Sequence, residues 1–266
     1  MTQESMIGCN TSKEDILRNV SANTTRDLPV LAVASPNNMS LAIVGGGPSL
    51  LKFLPIIKRM SWDERANIIC VNGSGTALRH WDHTLKIDGV VLADARPEMV
   101  DFVDRKLDAV YFVASQCATR VFRELAGKDI IMWHAGYDDD VHDAVRKRMK
   151  PSVPYTIVQG AGSGGAKAFA VGWCLGYRDI HMFGFDSCFV GDEHHAYKQP
   201  FDDEDLHEVK VVEMSGRQWK TTPWMWEQAV NFCKHAWQFG DVKITFHGDG
   251  MLPHLWRTKM EEKEAA

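Results

Sequence analysis

Short segments made only of apolar residues alternate with longer amphipathic ones, and this alternation constrains the fold of the 266-residue chain more than any other feature. A segment such as Val90-Val91-Leu92-Ala93 has no polar side chain on either face. Strands that are buried on both faces belong to parallel sheets covered by helices. Segments of this kind predict eight strands, at residues 41–44, 67–71, 89–93, 109–113, 129–133, 155–158, 179–183 and 242–246.

The stretches between these segments complete the predicted architecture. Their amphipathic periodicity and helix-opening residues predict six helices, at residues 49–60, 97–106, 118–125, 139–149, 165–175 and 224–239. A regular succession of strands and helices is typical of an α/β protein. We therefore predict a Rossmann-like, doubly wound, mostly parallel sheet with helices on both faces.

The composition excludes several other classes of protein. Hydrophobic residues make up 45% of the chain and charged residues 24%, ordinary values that exclude wholesale disorder, collagen and coiled coil. The longest apolar runs are too short to cross a bilayer, and a net charge of -5 disfavours non-specific binding to nucleic acid. The six cysteines form no CxxC pair and the N-terminus lacks a secretory signal, so we expect buried thiols and a cytoplasmic location.

The composition also changes along the chain. Residues 1–40 are rich in Ser, Thr and Asn and predict an N-terminal appendage or lead-in rather than core. The Rossmann-like domain is predicted over residues 41–258, followed by a charged tail at 259–266. Within the domain, residues 191–220 are acidic and have little helical or strand periodicity, which predicts a lid-like insertion. Because the insertion follows a strand directly, we expect it over the carboxyl edge of the sheet.

A glycine-rich turn follows the first predicted strand and contains Gly45, Gly46, Gly47, Pro48 and Ser49. Glycines allow a tight turn and close approach of the backbone to a ligand, and proline suits an early helical position. The amides and the dipole of a helix start favour an anion such as phosphate. The motif is neither GxGxxG nor GxxxxGK[ST], so a plain strand–helix turn is the alternative. Its place after the first strand favours phosphate binding.

Two further turns are candidates for nucleotide contacts. Gly162, Ser163 and Gly164 precede another predicted helix, which suggests a second anion or nucleotide site. Asn72 stands at the carboxyl end of the second predicted strand, where its amide is able to read a base or a ribose as both donor and acceptor. An Asn-Gly pair is also a common turn, and that interpretation stays open for Asn72.

Two carboxylates, Asp94 and Asp186, follow buried strands, and ligands of doubly wound sheets bind at such strand ends. Facing one crevice, the pair would be able to hold a divalent cation such as Mg²⁺ or to orient a hydroxyl acceptor. The alternatives are structural. Asp94 would cap the helix that opens at Pro97, and Asp186 would accept hydrogen bonds from loop amides.

The predicted insertion contains adjacent histidines, His194 and His195. Imidazole titrates near neutral pH and serves as a base for a hydroxyl. Adjacent histidines point in different directions and chelate a metal poorly as a pair, and a solvated polar loop is the alternative. Farther along, Trp224 and Trp226 open the last long helix and are interpreted as core or pocket wall.

The combination of these motifs resembles the MptE-like family. The matching segments are GGGPSL at 45–50, LADARPE at 92–98 and LGYRDIHMFGFD at 175–186, within a resemblance that covers roughly residues 41–250. The family is named for the archaeal 6-hydroxymethylpterin diphosphokinase and includes the bacterial motility-associated (Maf) glycosyltransferases. The order of the motifs and the similar spacing carry the resemblance, because each motif alone is common.

The same elements are more distantly similar to a bacterial sialyltransferase family that uses CMP-sugar donors. Its glycine-Pro-Ser start, the Asn after its second strand and its LGY segment match Gly45–Leu50, Asn72 and 175–186. The base of that family is a His shortly before the last long helix. The corresponding residues here, 219–223, read WKTTP, so the resemblance moves that role to His194 or His195.

These resemblances imply a nucleotide-dependent transferase that moves a group from a nucleotide donor to a hydroxyl acceptor. Glycosyl transfer from a nucleotide sugar is slightly favoured. The alternatives are pyrophosphoryl transfer from Mg-ATP, with Asp94 and Asp186 near the metal, and a nucleotide-binding module without catalysis. A dehydrogenase is disfavoured because the dinucleotide motif GxGxxG is absent and Pro48 stands in its place.

Overall fold

A computed structural model describes residues 11–159, 163–199, 208–214, 216–236 and 238–264. Its strands are β1 (Ser40–Val44), β2 (Ala66–Val71), β3 (Gly89–Leu92), β4 (Val110–Ala114), β5 (Ile130–Ala135), β6 (Ile157–Val158), β7 (Asp179–Phe183), β8 (Lys210–Met214), β9 (Arg217–Thr221) and β10 (Lys243–His247). Its α-helices are α1 (Lys13–Asn23), α2 (Leu54–Ser61), α3 (Ser74–Trp81), α4 (Thr119–Glu124), α5 (Asp139–Arg146), α6 (Gly164–Cys174), α7 (Pro223–Ala236) and α8 (Met251–Glu264). Short 3₁₀ helices span Leu50–Phe53 and Pro97–Phe102.

The main sheet in the described part of the chain has eight strands in the order β10-β7-β1-β2-β3-β4-β5-β6, and each neighbouring pair is parallel. All eight predicted strands are confirmed, and so is the α/β, Rossmann-like, doubly wound class. The chain winds from β1 outward to β6 and then returns to place β7 on the other side of β1. The order therefore reverses between β1 and β7, and this boundary is the topological switch point of the sheet.

The core consists of the sheet and the helices on its two faces. Leu41, Ile43 and Val91 are completely buried, as expected for strands that carry apolar residues on both faces. Gly172 lets α6 lie close to the sheet, because a Cβ at this position would stand 2.5 Å from a methyl carbon of Leu41. The five cysteines in the described ranges are buried and form no disulfide.

The described part of the predicted lead-in, residues 11–40, packs on the domain. Ile16 and Val20 of α1 are completely buried and pack against Ala95 and α5. The Asn23 amide donates hydrogen bonds to two carbonyls of the loop after β4, those of Ser115 at 3.0 Å and Cys117 at 2.8 Å. The helix α1 therefore covers the carboxyl edge of the sheet beside β3 and β4.

Several predicted boundaries were wrong for local reasons. The predicted helix at 49–60 is divided into a 3₁₀ turn and α2, and the predicted helix at 97–106 is a 3₁₀ helix that ends at Phe102. The helix α3 was missed because the preceding Asn-Gly pair predicted only a turn. The residues predicted as a charged tail continue α8 as far as Glu264, since Glu, Lys and Met favour helix.

The predicted lid-like insertion contains regular structure that its composition concealed. Strands β8 and β9 pair in antiparallel orientation. Trp219 and Thr221 are buried, whereas Val211 and Glu213 on the neighbouring strand are exposed, so one face of the hairpin packs on the protein. Within the described ranges, none of the helices has the length and apolar composition that a membrane crossing requires.

Candidate functional site

A cavity of about 190 Å³ lies at the switch point, at the carboxyl ends of β1, β2 and β7. The loops after these strands, the first turns of α6 and α7, and residues 194–199 enclose it. In doubly wound sheets this position is where ligands bind, because the connections after neighbouring strands leave in opposite directions and open a crevice. The strand order alone therefore makes the cavity the main candidate for a functional site.

The structure brings most of the predicted site residues to this cavity. Those that line it are Gly45, Gly46, Gly47, Asn72, Ser163, Gly164, Asp186, His194 and His195. Pro48 and Ser49 follow the glycines but do not line the cavity, and Asp94 lies elsewhere. Gly162 lies outside the described residues.

The glycine turn after β1 is held against the loop after β7. Because Val44 stands opposite Phe183 in the ladder, Gly45 and Gly47 follow directly and donate backbone hydrogen bonds of 2.8 Å to Phe183 and Gly184. A Cβ at Gly47 would collide with the carboxylate of Asp186 and stand 2.7 Å from the Gly184 carbonyl oxygen. Glycine is therefore required at Gly47 by the contact between the two loops, whatever ligand binds beside them.

Asp186 accepts the hydrogen bonds that hold this turn in place. Its carboxylate is 2% exposed and accepts hydrogen bonds from the Ser49 amide at 3.0 Å and the Ser49 hydroxyl at 2.9 Å. Burial raises the pKa of Asp186, while the two hydrogen bonds and the charge of Lys52 act in the opposite direction. The amide predicted to bind phosphate at Ser49 thus already has an anionic acceptor.

Asp94 and Asp186 do not form the pair that the sequence suggested. One oxygen of Asp94 accepts a hydrogen bond from the Arg96 amide at 2.9 Å, and the other pairs with the Arg96 guanidinium at 2.8 Å. Because β1 and β2 lie between β3 and β7, the two strand ends stand roughly 14 Å apart. Among the described residues no group of three or more His, Cys, Asp or Glu is placed to hold a metal ion, so Asp94 and Asp186 do not fit a shared Mg²⁺ site.

The first turn of α6 is a second wall of the cavity. The Ser163 hydroxyl caps the helix by accepting a hydrogen bond from the Ala166 amide at 3.2 Å. Gly164 and Gly165 line the cavity, and amides in a first helical turn have no partner within the helix. A Cβ at Gly165 would collide with the Phe185 ring, whereas a Cβ at Gly164 would have ordinary contact distances. This 11-residue helix therefore directs its positive end toward the cavity.

Residues 194–199 of the insertion lie across the glycine turn. The Ala196 amide donates a 2.8 Å hydrogen bond to the Gly46 carbonyl. His194 is buried, His195 is half-buried, and their ring centroids are 4.3 Å apart at the cavity wall. The Tyr197 ring meets the Trp81 ring edge to face, at 6.1 Å between centroids. The described part of the insertion thus lies over the carboxyl edge of the sheet, as its position after β7 suggested.

Asn72 follows β2 in a left-handed backbone conformation, with φ of 52°, and its side chain reaches the cavity wall. Asn tolerates this conformation better than most residues. The wall that the sequence did not identify as a functional surface is the start of α7, where Trp224, Met225 and Gln228 line the cavity. The prediction of core or pocket wall is correct for Trp224. No local signal shows that this helix start would meet the switch point, because the long insertion separates it from β7.

Comparisons with known proteins agree with this architecture. The family described as "6-hydroxymethylpterin diphosphokinase MptE-like" matches residues 14–192, which include all of α1 except its first residue and the strands from β1 to β7. Among solved structures, the chain is similar to the Maf glycosyltransferase from Magnetospirillum magneticum AMB-1, with a TM-score of 0.66 and 16% sequence identity. The similarity covers 92% of this chain and 38% of that chain, so this chain spans less than half the length of that protein. No match was found among curated proteins.

Proposed function

Since the chain belongs to the MptE-like family, we propose that it is a transferase that binds a nucleotide-linked donor in the switch-point cavity and moves a group to a hydroxyl acceptor. The observation that carries the proposal is the convergence, on one cavity, of the glycine turn after β1, the loop after β7 and the first turn of α6. Backbone amides at such a place bind phosphate with little need for side chains.

The phosphate of the donor is proposed to bind at Gly164 and Gly165 rather than at Ser49. The Ser49 amide is already bonded to Asp186, and a second anion next to a buried carboxylate would be repelled. The first turn of α6 attracts an anion instead of repelling it, because its amides and the helix dipole favour negative charge. In this arrangement Asp186 is a positioning residue that shapes the glycine turn.

The charges around the cavity favour a donor with few phosphates. None of the described residues that line the cavity is Lys or Arg. The segment 200–207, which lies outside the described residues, reads PFDDEDLH and contains neither Lys nor Arg. A triphosphate carries several negative charges that a site of this composition does not balance. We therefore favour glycosyl transfer from a nucleotide sugar over pyrophosphoryl transfer from Mg-ATP.

The base that deprotonates the acceptor hydroxyl is proposed to be His194 or His195. Both line the cavity, on the wall that lies across Gly46. Imidazole is suited to this proton transfer near neutral pH. Asp186 is less suited, because one of its oxygens already accepts two hydrogen bonds from Ser49.

Titration calorimetry of the full chain with CMP, UDP, GDP and ATP, with and without Mg²⁺, tests this function. We expect a mono- or diphosphate to bind more tightly than ATP, and the absence of any binding at millimolar concentration would contradict the proposal. Gly164→Asp adds a negative charge at the first turn of α6, where a side chain has room. It should abolish binding without lowering stability, because an acidic residue suits a helix N-terminus. Gly164→Ala is the matched control and should bind normally.

A further inference from the structure

We propose that Trp224 determines specificity, by donating a hydrogen bond from its indole N–H to an oxygen of the molecule bound in the cavity. This inference rests on the proposed function, because it requires that the cavity bind a nucleotide-linked donor. Without this hydrogen bond, Trp224 would serve only as a wall of the cavity.

The indole nitrogen of Trp224 is buried and has no hydrogen-bond partner among the described residues. Trp224 is one of the residues that line the cavity. Buried polar groups in folded proteins are nearly always paired, so an unpaired donor at the wall of a cavity indicates a missing acceptor. A bound ligand is the natural source of that acceptor here.

A second unpaired atom on the same cavity has the opposite polarity. The side-chain oxygen of Asn72 is buried and has no hydrogen-bond donor within the described ranges. Asn72 belongs to the loop after β2 and Trp224 to α7, so the two groups stand on different walls. A ligand that satisfies both must offer an oxygen acceptor and an N–H or O–H donor. A nucleoside or a sugar has this uncharged polar surface, and a bare phosphate chain does not.

The start of α7 is held firmly enough to present the indole at a defined position. The Thr221 hydroxyl donates a 3.0 Å hydrogen bond to the Ser187 carbonyl, which ties the end of β9, two residues before α7, to the loop that contains Asp186. Thr221 and Thr222 are 1% and 0% exposed. Gln228 lies one helical turn after Trp224 and lines the same cavity, so it adds a group that both donates and accepts. Rigid support of this kind is what a recognition contact requires.

The experiment compares Trp224→Phe with Trp226→Phe in the full chain. Trp226 lies in the same helix but does not line the cavity. Calorimetry with CMP, UMP, AMP, GMP and the corresponding nucleosides gives the dissociation constants, and thermal unfolding gives the stability of each variant. We expect Trp224→Phe to raise Kd about 3- to 10-fold for the ligands that wild type binds, and Trp226→Phe to leave Kd unchanged.

Stability separates recognition from a structural role. Trp224→Phe keeps a six-membered aromatic ring and removes the pyrrole part of the indole with its unpaired N–H, and Trp226→Phe removes the same atoms outside the cavity. The Tm of Trp224→Phe should therefore fall no further than that of Trp226→Phe, while only Trp224→Phe loses affinity. If Trp224→Phe weakens the binding of the nucleoside and of the monophosphate equally, the oxygen that accepts from Trp224 lies on the base or the ribose. If it weakens the binding of the monophosphate alone, that oxygen lies on the phosphate. Equal affinities of Trp224→Phe and wild type would overturn this inference only. If wild type binds none of the probes, the proposed function is wrong and this inference falls with it.

Discussion

The contact between Asp186 and Ser49 makes a prediction that separates a positioning role for Asp186 from a catalytic one. Asp186→Ala removes the acceptor of two buried hydrogen bonds, from the Ser49 amide and hydroxyl. Each donor left without a partner costs about 1–3 kcal/mol. Relief from burying a carboxylate offsets part of this loss, because burial raises the pKa of Asp186 and so disfavours its charged form. We expect a net destabilisation of about 2–4 kcal/mol, or a fall in Tm on the order of 10 °C.

Asp186→Asn should behave differently. The amide keeps an oxygen at the position that accepts from Ser49 and carries no charge, so its free energy of unfolding should stay within about 1 kcal/mol of wild type at neutral pH. The pH dependence has a definite sign. The pKa of Asp186 is higher in the folded chain than its ordinary value of 3.8 in the unfolded chain, so the folded chain takes up the proton first. The stability of wild type relative to Asp186→Asn should therefore increase as the pH falls through the folded pKa toward 3.8.

Thermal unfolding followed by circular dichroism measures all of these variants. Asp192→Ala is the control, since the Asp192 side chain is 96% exposed and its pair with Lys220 should contribute little. An Asp186→Ala variant as stable as wild type would refute the positioning role. So would an Asp186→Asn variant as unstable as Asp186→Ala, because the neutral acceptor would then have failed to replace the carboxylate.

Three further predictions concern the same region and its surroundings. Gly47→Ala should destabilise by roughly 1–3 kcal/mol in thermal unfolding, because its Cβ meets Asp186 and the backbone of the β7 loop; a neutral effect would contradict the loop contact. Burial lowers the pKa of His134 to about 4, from about 6.5 when unfolded, so stability should fall by about 3 kcal/mol as the pH drops through that window. His134→Gln should reduce this dependence of stability on pH, measured by unfolding at a series of pH values. An unchanged slope of stability against pH in the variant would show that His134 is not its cause. His194→Ala or His195→Ala should reduce turnover of a bound nucleotide sugar with Kd largely retained, and turnover that survives in both variants would exclude them as the base.

Much of the fold was predictable because short-range sequence patterns indicate its strands. Segments such as Val90–Ala93 are apolar on both faces, and only a strand within a covered parallel sheet buries both. Such patterns predicted all eight strands of the main sheet, each with ends within two residues of the observed ones. They failed for α3, where an Asn-Gly pair predicted a turn, and for β8 and β9, where charged and apolar residues do not alternate regularly.

The arrangement of residues in the candidate site depended on the tertiary structure as well as on these patterns. The sequence by itself determined which residues follow each strand, and therefore that Gly46, Asn72, Gly164 and Asp186 would stand at the carboxyl edge of the sheet. Only the tertiary structure decided which of them are neighbours. The return of β7 to the side of β1 joined Asp186 to Ser49 and left Asp94 beyond two intervening strands. Strand order arises from how whole helices and strands pack around one core, and no short segment of the chain contains that information.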